Sequence, residues 1–191
     1  MTHVLTTETP HSHELIVVRH AAAAGQDADA PLTLEGERQA NDLADVLAAC
    51  RLERVISSPF RRAMASVAPL CARTTLPLEA DDRLVERLLS RKSPPDWREH
   101  LRRSFAELDY RLPDGESART AQARGLAVLH EAWSSGARCV LVTHGSLLAL
   151  LLQSIDPTVG YDAWAALSNP DVFVLHGDAE GPRGFKRLWS P

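Results

Sequence analysis

The chain has 191 residues, 45% hydrophobic and 24% charged, a balance typical of one globular domain and not of a disordered or collagen-like chain. Its formal net charge of −4 argues against a surface that coats nucleic acid, and no apolar run approaches the roughly 18 residues of a membrane span. Cys50, Cys71 and Cys139 are scattered without metal-site spacing, and the N-terminal residues lack the layout of a secretion signal. We therefore expect a cytoplasmic protein that needs neither nucleic acid nor membrane.

The N-terminal third predicts a tail, a strand and a helix. Residues 1–13 are polar and without period, which is typical of a loose tail ahead of a single domain over residues 14–191. The apolar, largely β-branched run at 15–18 predicts a strand buried on both faces, as in a parallel sheet. After a loop, Thr33 is placed to cap a helix over residues 34–50.

A second strand and helix follow directly. Residues 54–56 predict a short strand, and Ser58 with Pro59 is typical of an N-cap followed by the first helical position. We expect that helix to run from Pro59 to about Ala72. Residues 74–95 mix short extended and helical pieces.

The rest of the chain continues the alternation of strands and helices. Helices are predicted at 97–108, 118–134 and 146–154, and strands at 139–142, 171–176 and 184–189, the last at a sheet edge. This order predicts an α/β fold, a three-layer sandwich with a mostly parallel sheet and helices on both faces.

Arginine and histidine follow three of these strands at the point where each ends. Arg19 and His20 follow the first strand, residues 57–62 the second, and His144 and Gly145 the third. Ligands of open parallel sheets bind at the carboxyl ends of the strands. Arginine suits phosphate oxygens, and a helix N-terminus such as that after Gly145 adds backbone donors for an anion. The pattern favours a phosphate monoester.

No metal site or cofactor is predicted. The zinc, calcium, P-loop and dinucleotide motifs are absent from the sequence. His11 and His13 have ligand-like spacing, but a solvated tail explains that pair more simply.

Six segments, in order, resemble the histidine phosphatase superfamily, also called phosphoglycerate mutase-like. They are residues 18–21 (VRHA), 31–40 (PLTLEGERQA), 57–63 (SSPFRRA), 84–86 (LVE), 114–117 (DGES) and 142–145 (VTHG). The resemblance implies a phosphoglycerate mutase-like fold. It also implies a phosphohistidine mechanism that needs no cofactor.

The resemblance assigns roles to particular residues. It makes His20 the nucleophile and Glu86 the proton donor and acceptor. Arg19, Arg62 and His144 would bind the phosphoryl oxygens. Arg61 and Arg62 lie about 100° apart on a helix, so only one is expected to face the site, and the motif favours Arg62.

Several candidate site residues have a second interpretation. Glu86 lies in a charge-rich stretch that is also typical of a solvated helix face. The chain has Arg-His-Ala where Arg-His-Gly is commoner and lacks the family's asparagine soon after the histidine, so Gln26 is a possible substitute. Gly145 and Ser117 are further possible site residues, although Ser117 could equally serve as a helix cap.

The sequence favours a phosphomonoesterase acting on a small phosphorylated metabolite without a metal. A phosphoprotein or phosphohistidine phosphatase, a mutase-like phosphotransferase and a non-catalytic phospho-ligand binding module are the alternatives. Residues 90–117 are expected to form a helical cap over the pocket.

The tryptophans suggest two structural roles. Trp97 and Trp133 occupy apolar helical positions that are more often core than substrate platform. Trp164 and Trp189, if exposed, would be compatible with a homodimer.

Overall fold

The computed structural model describes residues 13–92 and 94–190, so the tail predicted for residues 1–12 lies outside the described residues. The strands are β1 (His13–Arg19), β2 (Arg54–Ser57), β3 (Leu78–Ala80), β4 (Cys139–Thr143), β5 (Asp171–Asp178) and β6 (Gly181–Trp189). The helices are α1 (Leu34–Ala48), α2 (Arg61–Thr74), α3 (Trp97–Ala106), α4 (Ala118–Ser134), α5 (Gly145–Ile155) and α6 (Tyr161–Ala165), with a 3-10 turn at Asp82–Leu84. Among the described residues, no helix is both long and apolar enough to cross a membrane.

The strands form one mixed sheet in the order β3-β2-β4-β1-β5-β6. The four strands from β3 to β1 run parallel, whereas β5 and β6 are antiparallel to their neighbours. The predicted mostly parallel sheet is confirmed for those four strands, and β6 lies at the sheet edge as expected. The carboxyl ends of β1, β2 and β4, three adjacent strands, therefore meet along one edge.

Both faces of the sheet are covered by helices, because neighbouring side chains of each central strand point to opposite sides. In β1, Leu15 and Val17 join a buried cluster with α3, α4 and α5, whereas Ile16 and Val18 join a second cluster with α1 and α2. All four side chains are at most 7% exposed. Complete burial of such a side chain stabilises a fold by about 1.5–3 kcal/mol before entropy is counted. The predicted three-layer sandwich is confirmed.

Three local predictions need correction. The helix expected from Pro59 begins at Arg61, with Phe60 at the N-cap position. The hydroxyl of Ser58 accepts a hydrogen bond from Phe60 N and pairs with His144, so it does not cap the helix. His13, assigned to the tail, belongs to β1, and the short helix α6 was not predicted.

Candidate active site

The ends of β1, β4 and β2 are joined by backbone hydrogen bonds. The amide of His20 donates to Thr143 O at 3.0 Å, and the amide of Ser58 donates to Val142 O at 2.9 Å. Arg19 pairs in register with Thr143. The arginine and histidine segments that follow the three strands are therefore brought together, as the sequence predicts.

The neighbours of His20 determine which of its ring nitrogens is free to react. Nδ1 lies 2.7 Å from the carbonyl oxygen of Ala21, which only accepts, so Nδ1 carries the proton. Nε2 accepts a hydrogen bond from Nε of Arg62 at 3.1 Å and therefore holds a lone pair. Burial lowers the pKa of His20 to about 3, and the cations Arg62 and Arg19 act in the same direction. His20 is therefore a neutral imidazole with an unprotonated Nε2 at neutral pH.

Arg62 is a buried cation beside this nitrogen. It is 1% exposed, and its Nη1 donates to the carbonyl oxygens of Gln26 at 3.0 Å and Asp27 at 2.7 Å. Buried charges require such partners, because desolvation is costly. The adjacent Arg61 is exposed. The structure thus brings Arg62, and not Arg61, to His20.

Arg19 and His144 complete the floor of the site. Burial holds the pKa of His144 well below its usual value, so only Arg19 adds positive charge. Nη1 of Arg19 donates to Leu167 O at 2.8 Å, and Nε2 of the fully buried His144 lies 2.8 Å from the hydroxyl of Ser58. The rings of His144 and His20 meet edge to face with centroids 5.0 Å apart. Arg19 Nε and His144 Nδ1 are buried without a hydrogen-bond partner among the described residues. Buried polar atoms are rarely left unpaired, so both atoms are candidate partners for the oxygens of a ligand.

The sequence motif at 31–40 shapes the loop that follows His20. Thr33 caps α1, and the side-chain oxygen of Gln39 accepts a hydrogen bond from Ala22 N at 2.9 Å. A Cβ on Gly36 would lie 2.0 Å from Ala22 O, so only glycine lets α1 come this close. The motif therefore fixes the backbone next to the candidate nucleophile. The resemblance pointed to these residues without giving this role.

Two further side chains, which the sequence does not predict, bind the backbone of the loop that follows His20. Ser66 accepts from Ala21 N at 2.8 Å, and Asn169 donates to His20 O at 2.7 Å. Ser66 lies on α2, four residues after Arg62, a spacing that places both on one helix face. Asn169 comes from the loop before β5, and no local pattern indicates its role.

Glu86 binds the N-terminus of α5. Its carboxylate accepts hydrogen bonds from Ser146 N at 3.0 Å, Leu147 N at 3.1 Å and Arg87 N at 2.8 Å. An acidic side chain at a helix N-terminus satisfies orphan amides and interacts favourably with the helix dipole. Glu86 follows the 3-10 turn instead of lying on a helix, so the interpretation as a solvated helix face is wrong.

A partly buried ion pair holds the backbone that leads to Glu86. Arg124 on α4 pairs with Glu116 at 2.8 Å, and its Nη1 donates to Arg83 O and Val85 O at 2.6 and 2.8 Å. Both side chains are about one-fifth exposed. Arg124 therefore connects the segment at 114–117 to the segment at 84–86. Neither arginine spacing nor hydropathy predicts this connection.

A cavity of about 390 Å³ opens beside Arg19 and Glu86. Its lining comprises Arg19, Gln26, Glu86, Arg87, Leu89, Ser90, Pro94, Trp97, Leu101, Gly145, Ser146 and Trp164. A Cβ on Gly145 would lie 3.2 Å from Arg19 Nε, so glycine allows α5 to begin beside that side chain. Gln26 lines the cavity, whereas Ser117 caps α4 and is not among the lining residues.

The predicted roles of the tryptophans hold only in part. Trp97 lines the cavity, whereas Trp133, as expected, is core. Trp164 and Trp189 are only partly exposed and pack against the two buried clusters, so they give no support to a homodimer.

Metal ligands are not grouped in the described part of the chain. Within residues 13–92 and 94–190, no set of three or more His, Cys, Asp or Glu side chains is arranged to hold a metal ion. His11 lies outside the described residues, and His13 stacks on Trp133.

Stability should fall as the solution is acidified from pH 6 to pH 5. The pKa of His20 is about 3 in the folded chain against an ordinary value of 6.5, so only the unfolded chain takes up this proton in that window. One such proton changes the free energy of unfolding by about 1.4 kcal/mol per pH unit. Urea titrations at pH 6 and pH 5 should show a steeper loss in the wild-type chain than in His20→Asn. Equal slopes would contradict the buried neutral ring.

Comparison with known proteins decides the family. The model of the histidine phosphatase superfamily (branch 1) matches residues 15–185. The chain belongs to the histidine phosphatase superfamily. Probable phosphoglycerate mutase GpmB of Shigella boydii serotype 18 is 30% identical over 148 residues, which span 72% of this chain and 67% of that protein.

Solved structures of histidine phosphatase folds align with nearly the whole chain. Mycobacterial glucosyl-3-phosphoglycerate phosphatase in complex with inorganic phosphate has a TM-score of 0.72 and 25% identity, with 94% of this chain and 97% of that one covered. YhfR of Bacillus stearothermophilus has a TM-score of 0.74 and 21% identity, with coverage of 92% and 95%. The fold is therefore phosphoglycerate mutase-like, and the relatives include both phosphatases and mutases.

Proposed function

We propose that this histidine phosphatase family member hydrolyses a small phosphate monoester through a phosphohistidine formed on His20. The observation that carries the proposal is the buried, neutral imidazole whose Nε2 lone pair lies beside the Arg62 guanidinium. A nucleophile needs that lone pair, and a phosphoryl group needs positive charge around it. Arg19 and Arg62 supply this positive charge around the phosphoryl group, so the proposed reaction requires no metal.

The first half-reaction transfers the phosphoryl group to His20. The Nε2 lone pair attacks phosphorus, a P–N bond forms, and the P–O bond to the alcohol breaks. Arg62 moves its hydrogen bond from Nε2 to a phosphoryl oxygen, while Arg19 Nε and His144 Nδ1 gain the oxygen partners that they lack. Glu86 gives a proton to the departing alkoxide.

The second half-reaction releases inorganic phosphate. Water attacks phosphorus, its proton passes to the Glu86 carboxylate, and the P–N bond breaks to restore His20. The Glu86 carboxylate is held at the α5 N-terminus between these steps. The proton that Glu86 takes from water is the one that it gives to the alkoxide in the next cycle. One carboxyl group thus acts first as acid and then as base.

The cap supports a small substrate over a phosphoprotein. Trp97 and Leu101 of α3 line the cavity together with Pro94. A cavity of about 390 Å³ is within the range of small-molecule sites. A folded protein surface would require a more open entrance.

The test is phosphate release from a panel of phosphomonoesters in the presence of EDTA. We expect turnover by the wild-type chain, with the alcohol and inorganic phosphate appearing in equal amounts. Ligand binding without turnover across the panel would instead indicate a binding module. Loss of activity in EDTA that added metal restores would overturn the metal-independent mechanism.

A mutase is the second candidate, because relatives such as GpmB are named probable phosphoglycerate mutases. The two candidates differ in where the phosphoryl group goes. With 3-phosphoglycerate and a trace of 2,3-bisphosphoglycerate, a mutase forms 2-phosphoglycerate, whereas a phosphatase forms glycerate and phosphate. Nuclear magnetic resonance of phosphorus distinguishes these products in one sample.

Arg124→Met should reduce activity by loosening the backbone that carries Glu86. The variant keeps an unbranched apolar stem but loses the Glu116 ion pair and the bonds to two carbonyl oxygens. We expect kcat/KM to fall about 10-fold, because misplaced catalytic groups lose transition-state stabilisation. Arg119→Met is the matched control, since it removes an exposed ion pair with Asp109 from the same helix. A loss of equal size in both variants would contradict the positioning role.

A further inference from the structure

The cavity has two chemically different halves. Arg19, Glu86 and the N-terminus of α5 form the phosphate half. The rest of the lining, called the outer half, is mostly apolar. It comprises Leu89, Pro94, Trp97, Leu101 and Trp164, with Gln26, Arg87 and Ser90 as its polar members. The alcohol part of a bound monoester would therefore lie against an apolar and aromatic wall.

The two indoles form a fixed corner in this wall. The rings of Trp97 and Trp164 meet edge to face, with centroids 6.0 Å apart and planes at 88°. The guanidinium carbon of Arg98 lies 4.6 Å from the centroid of Trp97, and Tyr161 packs against Trp164 at 5.3 Å. Edge-to-face and cation–π contacts of this kind hold aromatic rings in place.

The aromatic corner is directly connected to the phosphate half. Arg19 Nε and Trp164 Nε1 both lie about 3.3 Å from the position that a Cβ on Gly145 would occupy. Arg19 and Trp164 thus stand side by side over the first residue of α5. A ring joined to the phosphate by a short linker would therefore lie near Trp164.

Polar side chains in the outer half are mostly engaged by the protein. Ser90 donates to Asp114, and Arg87 uses Nε and Nη1 for Glu116 O and Ser104. Only Nη2 of Arg87 lacks a partner among these groups, and it is buried. Recognition of a carboxylate or several hydroxyls requires free donors and acceptors, and the lining side chains of Leu89, Pro94 and Leu101 offer none.

We propose, on the basis of the hydrolytic function proposed above, that the preferred substrate is a phosphate monoester of an alcohol that carries an aromatic ring. Trp97 and Trp164 are its specificity-determining residues. The proposal distinguishes this chain from relatives whose names refer to phosphoglycerate substrates, because most of the lining beyond the phosphate half is apolar and aromatic.

The test compares 2-phenylethyl phosphate with ethyl phosphate and 3-phosphoglycerate. 2-Phenylethyl phosphate and ethyl phosphate release alcohols of similar basicity. The ratio of their kcat/KM values therefore reports the effect of the ring and not of the leaving group. We expect 2-phenylethyl phosphate to be favoured about 10-fold or more over each of the others. Trp97→Ala and Trp164→Ala should reduce the phenylethyl-to-ethyl ratio to near unity, and Trp97→Phe should recover part of it.

Trp189→Ala is the matched control. It removes an indole that packs on the opposite face of the sheet, so the ratio should stay at the wild-type value. A wild-type ratio near unity, a preference for 3-phosphoglycerate, or an equal fall of the ratio in Trp189→Ala would overturn the aromatic assignment while leaving hydrolysis intact. No turnover of any ester by the wild-type chain would instead refute the proposed function.

Discussion

His20→Asn should reduce kcat by at least about 1,000-fold, because loss of a covalent catalyst removes the reaction path and not only a contact. Asparagine keeps an amide N–H that can donate to Ala21 O, as Nδ1 of His20 does at 2.7 Å. It has no nitrogen lone pair in place of Nε2. The substitution therefore removes the nucleophile with little change to the loop, and steady-state assays of phosphate release would measure the loss.

Trapping of the phosphohistidine intermediate tests the role of His20 in a second way. Acid-sensitive, base-stable incorporation of phosphate from a labelled ester is expected in the wild-type chain and absent in His20→Asn. His130→Asn is the control, because His130 is exposed on α4. Retention of activity or of label in His20→Asn would place the nucleophile elsewhere in the chain.

The sequence predicts most of the fold because short-range signals are strong here. Buried strands such as 139–142 are continuous apolar runs bounded by polar residues, and Thr33 caps α1 as a local rule expects. The positions of Arg19, His20 and His144 follow from the strand order, since side chains after adjacent parallel strands meet at one edge. Their chemical roles came from the family resemblance and not from periodicity.

What the sequence does not predict depends on contacts between distant segments. Ser58 has the local signature of an N-cap, yet its hydroxyl is engaged by His144, 86 residues later, and α2 begins at Arg61. Arg87 lies in a charge-rich stretch that suggests a solvated surface. It is 5% exposed because Ser104 and Glu116 supply its partners. Trp97 has helical core spacing, but its helix covers a cavity, so its side chain lines that cavity.

Arg62→Gln should be nearly as damaging as loss of the nucleophile. The guanidinium of Arg62 is the only charged group hydrogen-bonded to His20 Nε2 among the described residues, and it also binds Gln26 O and Asp27 O. Removal of a preorganised donor to a developing oxyanion typically costs about 100- to 1,000-fold in kcat. Two carbonyl oxygens would also lose their partner, which we expect to reduce the free energy of unfolding by about 2 kcal/mol.

Arg62→Lys separates charge from geometry. A lysine keeps the positive charge but cannot bond Nε2 and two carbonyl oxygens at once, since the planar fork of donors is lost. We therefore expect it to recover less than a tenth of the wild-type kcat/KM, although the chain folds. Arg61→Gln provides the matched control on the same helical turn, because Arg61 is exposed and should leave both kcat and urea stability near wild type. If Arg62→Lys were fully active, simple charge and not the directed guanidinium would be what His20 requires.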